Sequence, residues 1–203
     1  LKKIGVPAPV VQQFRIQTFE SFATSVLHEF EDHAVPVYSD AEQLSPVFWQ
    51  AVDRVAENPS EKWRPYFIMP TPGDPGMIDL FVQQSEYIKG TMVDVYERME
   101  QAVTPDYAES IGIEYTQLKI YLAFEKIRMA DPEKPLFWGI NDATYDLAHL
   151  LHEDGDVTHN RNWPTHIKVV LVDEMHDMNR AMFGILKAVL ANNRCFFCGV
   201  GDV

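Results

Sequence analysis

The apolar positions divide the chain into three stretches of different character. In RIQTFESFATSVLHEF a short strand-like start runs into a helix, because Phe19, Phe22, Ala23, Val26, Leu27 and Phe30 recur at helical spacing and make one stripe. In the next stretch Ser39 or Asp40, and later Ser45-Pro46, have the form of helix starts, and NPSEKW that of a loop. MPTPGDPGM, from Met69 to Met77, is too rich in Pro and Gly for a helix interior or a central strand, so it is expected to connect subregions. Phe81, Ile88, Met92, Val95, Tyr96 and Met99 predict one long helix from Met77 to Val103, bent near Gly90. A second helix is expected from Asp106, carrying Ile111, Tyr115, Leu118, Leu122 and Phe124.

After DPEKP the pattern changes. NDATYDLAHLLHEDG reads as a short helix stopped by Gly155, and THNRNWP as a polar loop. HIKVVLVDE is a continuous apolar run ending in acids, which predicts a parallel strand buried on both faces. Met178, Met182, Ile185, Leu186, Val189 and Leu190 form a helical stripe behind it, and RCFFCGVGD reads as a second buried strand. Strand, helix and strand in this order make a βαβ unit, whose ligand-binding edge is the carboxyl end of its strands.

Composition narrows the functional classes. With 46% hydrophobic residues in 203, the chain can bury a substantial core as one or two domains. A net charge of -13 argues against a surface that neutralises nucleic-acid phosphates wholesale, so any such contact is expected to be local. No run approaches the roughly 20 apolar residues of a membrane span, which predicts no membrane partner. The two cysteines, Cys195 and Cys198, suit a reducing compartment, and a cytoplasmic location is expected. The start at Leu1 rather than Met, and the stop after CGVGDV, predict a piece of a larger protein.

The acids after VVLV carry the candidate chemistry. An Asp at a strand end can hold Mg²⁺ while a neighbouring Glu accepts a proton from an attacking water, and Asp202 would end the next strand nearby. The bland alternative is that Asp173, Glu174 and Asp177 are solvated strand-end and helix-start residues. On spacing alone the two readings are evenly matched. CFFC has the spacing of a zinc knuckle but no second pair, and the His residues at 149, 152, 159 and 166 are scattered. Trp49, Trp63, Trp138 and Trp163 read as core and contact residues.

VVLVDEMHDMN followed by CFFCGVGD resembles motif II and the start of motif III of the UvrD/Rep-like superfamily 1 DNA helicases, usually DExQDxN and VGDxxQ. TFESFATSVL resembles their motif Ib, and TYDLAHLL echoes the helix that precedes motif II. The resemblance implies an α/β fold: a partial parallel-sheet P-loop NTPase (RecA-like) domain with an inserted all-helical subdomain. It divides the chain into 1–35, a motor segment; 36–130, the helical insertion; and 131–203, a second motor segment. It implies ATP and Mg²⁺ as cofactors, with Asp173 as the Mg²⁺ residue, Glu174 as the catalytic base, His176 in a coupling position and Asp202 as the motif III acid. Thr18, Phe19 and Ser21 match residues that touch single-stranded DNA, although Phe19 has core packing as an equal alternative.

Two departures from the family pattern stand out. His176 replaces the usual Gln, and can still donate and accept one hydrogen bond each when neutral. Glu20 replaces the usual His, and a carboxylate beside a DNA phosphate repels it. No GxxxxGK[ST] phosphate loop occurs, nor an arginine motif after VGD, so the chain alone is expected not to hydrolyse ATP. The parent is expected to move on single-stranded or partly duplex DNA, with a protein partner at the acidic insertion. The rival reading is a non-catalytic helicase-like module for interaction or regulation.

Overall fold

The computed structural model describes residues 7–11, 13–30, 35–38, 40–57, 61–74, 76–92, 103–131, 134–160 and 162–202. After a single turn, α1 (Ala8–Val11), α2 spans Phe19–Phe30 and buries Ala23, Val26 and Leu27, the expected stripe. The strand expected before it does not form: residues 14–18 are irregular, and Ile16 is exposed with no strand beside it among the described residues. The next helix, α3 (Ala41–Glu57), starts at Asp40, whose Oδ1 accepts the Gln43 N–H at 2.9 Å. Pro46 lies inside α3 rather than at a start, and its missing N–H costs the helix one backbone bond there.

The long helix expected over 77–103 ends sooner. The fourth helix, α4, covers Met77–Gly90, and Thr91 and Met92 (φ 55°) turn the chain out of it; Val95, Tyr96 and Met99 lie outside the described residues. The helix expected from Asp106 is two. Thr104 caps α5 (Pro105–Ser110) through Oγ1, with Pro105 at the first position, and Gly112 at φ +72° breaks it from α6 (Tyr115–Arg128). The Glu114 carboxylate caps α6 by accepting the N–H groups of Thr116 and Gln117.

The described residues form two hydrophobic cores. The first is built by α3, α4, α5 and α6 from Leu44 to Phe137; the second by α2, Val35, Trp138, Trp163, α7 (Asp142–Glu153) and α8 (Arg180–Asn193). Two of the connections between them touch: Val37 and Trp138 form a parallel bridge, with the Tyr38 N–H donating to the Trp138 carbonyl at 2.7 Å and the Trp138 N–H to the Pro36 carbonyl at 2.8 Å.

A buried charge network joins the same parts. Arg128, fully buried, donates to Asp146 at 2.7 and 2.9 Å and to Glu125 at 2.7 and 3.0 Å; Lys89 pairs with Glu125 at 2.7 Å and with Asp142. The Trp138 indole N–H and the Gly139 N–H complete the Asp146 and Asp142 carboxylates at 3.0 and 2.8 Å. Burial alone would push Lys89 down, but Asp142 and Glu125 hold its ammonium above the usual range. Burial likewise pushes Glu125 up, and Arg128 with Lys89 overcomes it to hold the carboxyl below its ordinary value.

Strands β1 (Val169–Val172) and β2 (Phe196–Gly199) pair in parallel, Val169 opposite Phe196 through Val172 opposite Gly199, with α8 as the crossover. The expectation of strands buried on both faces is overturned. Val170 packs against the second core and Val172 is buried, but Leu171 is 65% exposed and Phe196 81%. The reason is layering: side chains alternate across a strand, and among the described residues nothing covers the second face.

Candidate functional site

At the end of β1 the chain makes a tight turn. Asp173 leaves the strand, Glu174 takes a left-handed conformation (φ 51°), and Met175–Asp177 form a 3-10 turn. A left-handed non-glycine residue costs about 1 kcal/mol or more, so surrounding contacts must hold it. The Met175 N–H donates to the Val200 carbonyl at 2.8 Å, the Val200 N–H to the Val172 carbonyl at 2.9 Å, and the Asp202 N–H to His176 Nδ1 at 3.3 Å. The turn after β1 is thereby laced to the segment after β2.

The glycines of CGVGD make this possible. A Cβ on Gly199 would stand 1.7 Å from the Met175 sulfur, and one on Gly201 3.1 and 3.2 Å from the Met175 and His176 backbone nitrogens. Neither glycine has a positive φ; what each supplies is room for close approach.

The lacing gathers Glu174, His176 and Asp177, each offering a ligand atom within 4.8 Å of the others. His176 is 41% exposed, with Nδ1 3.4 Å from Glu174 Oε2 and Nε2 3.5 Å from Asp177 Oδ1. Since Nδ1 accepts the Asp202 N–H, the neutral imidazole carries its proton on Nε2, facing Asp177. Asp173 stands outside this group, with Oδ1 accepting the Glu174 N–H at 3.1 Å. Exposed carboxylates at one strand end are hard oxygen donors of the kind Mg²⁺ takes, so the residues present fit a divalent cation. Asp202 reaches the turn through its backbone N–H.

Behind the turn stands Asn179. Its Oδ1 accepts the Met182 N–H at 3.0 Å and caps α8, and its Nδ2 donates to the Tyr145 hydroxyl at 3.4 Å. Spacing does not reveal this role, nor the buried Lys89 and Arg128; the paired glycines of CGVGD were the available signal for close packing.

Thr18, Phe19 and Ser21 lie at the start of α2, which packs on α7. Thr18 Oγ1 accepts the Ser21 N–H at 3.1 Å as a helix cap; Phe19 is half-buried against the second core, and Ser21 is exposed. Glu20 points the other way. Its Oε2 accepts the Thr144 N–H at 2.9 Å and the Thr144 hydroxyl at 2.8 Å, while Oε1 takes the Ala143 N–H at 3.4 Å. Asn141 has no side-chain cap bond of its own, so Glu20 satisfies the free N–H groups that open α7. Burial, partly offset by the Thr144 bonds, raises the Glu20 carboxyl above its ordinary value. The Cys195 thiol donates to the Ile167 carbonyl at 3.2 Å, and Cys198 is exposed on β2.

Among the described residues no helix is long and apolar enough to cross a membrane. None of the curated proteins compared matches the chain. The family model of the UvrD/REP helicase N-terminal domain matches residues 3–203, nearly the whole length. Membership carries with it a P-loop NTPase fold and a DNA helicase and ATP hydrolase family, here expressed in a helix-rich chain with a two-stranded parallel sheet. The acids after β1, laced to the glycines after β2, belong to a member of the UvrD/REP helicase N-terminal domain family.

Proposed function

We propose that this chain is part of the first motor domain of an ATP-dependent DNA helicase or translocase, which couples Mg-ATP hydrolysis to movement along single-stranded DNA. The observation that carries the reading is the laced turn, which presents Asp173 and Glu174 at the carboxyl end of a parallel strand, where α/β folds bind ligands. Asp173 would hold Mg²⁺, and Glu174 would accept the proton of the attacking water on its carboxylate. Bound Mg²⁺ supplies charge neutralisation on the phosphates. His176, joined to the Asp202 backbone, links the two strand ends, so a shift at one is felt at the other. Thr18 and Ser21, at a helix start, would meet the DNA backbone. Glu20 is engaged with α7 and does not need to face a phosphate.

Residues 1–35 and 131–203 would form the motor segments and 36–130 the helical insertion; the division of the cores at Val35/Leu44 and Phe137/Trp138 supports this. The acidic insertion would take a protein partner, and the cytoplasm would be the site of action. With no phosphate loop in its 203 residues, the chain alone would not turn over ATP.

The test is ATP hydrolysis by the full-length protein with and without single-stranded DNA, beside its Glu174→Gln variant. DNA-stimulated turnover that falls at least about a hundredfold in the variant is expected for loss of a general base. Unchanged turnover in the variant would remove Glu174 from the role.

A further inference from the structure

Gly90 ends α4 without needing a glycine's backbone freedom: its φ is not positive, it is buried, and it lies within the helix. A glycine in a helix costs roughly 0.5–1 kcal/mol relative to Ala, so its place calls for a packing reason. That reason is Asn179. A Cβ on Gly90 would stand 2.8 Å from Asn179 Nδ2, 3.2 Å from Cγ and 3.4 Å from Cβ. We propose that Gly90 is a positioning residue for the acidic turn: the notch at the end of α4 sets where Asn179 caps α8, and hence how Glu174, His176 and Asp177 are presented.

The Asn179 side chain is the part that must yield. Asn179 is held at both ends, by the Met182 N–H on Oδ1 and by the Tyr145 hydroxyl on Nδ2. The residue before Gly90, Lys89, is held by Glu125 and Asp142, so the end of α4 cannot swing outward without breaking buried ion pairs. A methyl group at position 90 must therefore displace the cap, and Asn179 is separated from Asp177 by Met178 alone. The helix that belongs to the first core thus reaches across to the second and fixes the turn from behind.

The functional consequence rests on the reading of Glu174 as the base, so the test uses two readouts. In the full-length protein, Gly90→Ala is compared with Asn179→Ser, which keeps a capping oxygen on a shorter side chain, and with the double variant. Amide exchange at Met182 should rise about tenfold in Gly90→Ala, the size of a lost cap. DNA-stimulated kcat should fall about tenfold, with KM for ATP within about twofold, as expected when chemistry is misaligned and binding is kept. Both should return toward the Asn179→Ser level in the double variant, because the clash is gone. Should Gly90→Ala fail to fold while the double variant folds, the clash with Asn179 is likewise supported. A folded Gly90→Ala protein with unchanged Met182 exchange, or a double variant as impaired as the two single changes combined, would overturn the proposal. If Glu174→Gln retains full turnover, the base assignment fails and the exchange arm alone decides on Gly90.

Discussion

Arg128 has no exposed surface, and its guanidinium is shared by the carboxylates of Glu125 and Asp146. Replacing it with Met would leave the buried carboxylates of Glu125 and Asp142 to Lys89 and strip Asp146 of its guanidinium, and breaking such a network costs about 3–5 kcal/mol. Urea unfolding followed by circular dichroism should show a loss of that size in Arg128→Met. The sequence offers little warning of this site, since a Glu125–Arg128 pair three residues apart on a helix ordinarily reads as a solvated face, and the other partners, Asp146 of Arg128 and Asp142 of Lys89, stand 18 and 53 residues away along the chain. Glu174 and Asp173 were legible because an apolar run driven into acids is a local pattern. Asn179 and Gly90 were not, because their meaning lies in a contact between segments far apart in sequence. Glu20 shows the same limit from the other side: its departure from the family pattern is explained by the helix it caps, not by anything nearby in the chain.

The elements divide by what ends them. The stripe of α2 and most of that of α8 are readable because each helix repeats its apolar positions without interruption, although Met178, expected in the second stripe, lies before the Asn179 cap; α7 is readable from its stop before Gly155. The run from Asp106 onward repeats its apolar positions just as well, but Gly112 turns left-handed and starts a new helix at Tyr115. Periodicity does not register one residue of reversed φ. Because a Cβ at Gly112 would meet nothing within 4 Å, Gly112→Ala isolates the backbone cost, and thermal unfolding should show a loss of about 1–2 kcal/mol. The strands erred in the opposite sense: β1 reads as fully buried from its Val/Leu run, while the covering layer is a property of neighbours, and only one face has them here.

Across the whole molecule, the charge network makes the association of the two cores depend on pH. Glu125 is held below its ordinary value of 4.5, so its contribution is present above that pH and is lost as the pH falls through the lowered value. Lys89 is held above 10.5, so its contribution is present below that pH and is lost as the pH rises through the raised value. Stability from this pair should be flat between the two limits and fall outside them. Urea midpoints across the acid range should show the loss, and it should be smaller in Arg128→Met, where Glu125 has already lost its principal partner. The paired crossings at Val37 and Trp138 have a mechanical meaning as well. The stretch from Tyr38 to Phe137 is a closed loop pinned at its neck by two backbone hydrogen bonds. Tension applied along the flanking chain is shared between that neck and the buried ion pairs that tie Arg128 and Lys89 to Asp146 and Asp142. The first core is therefore loaded through those ion pairs as well as through its neck.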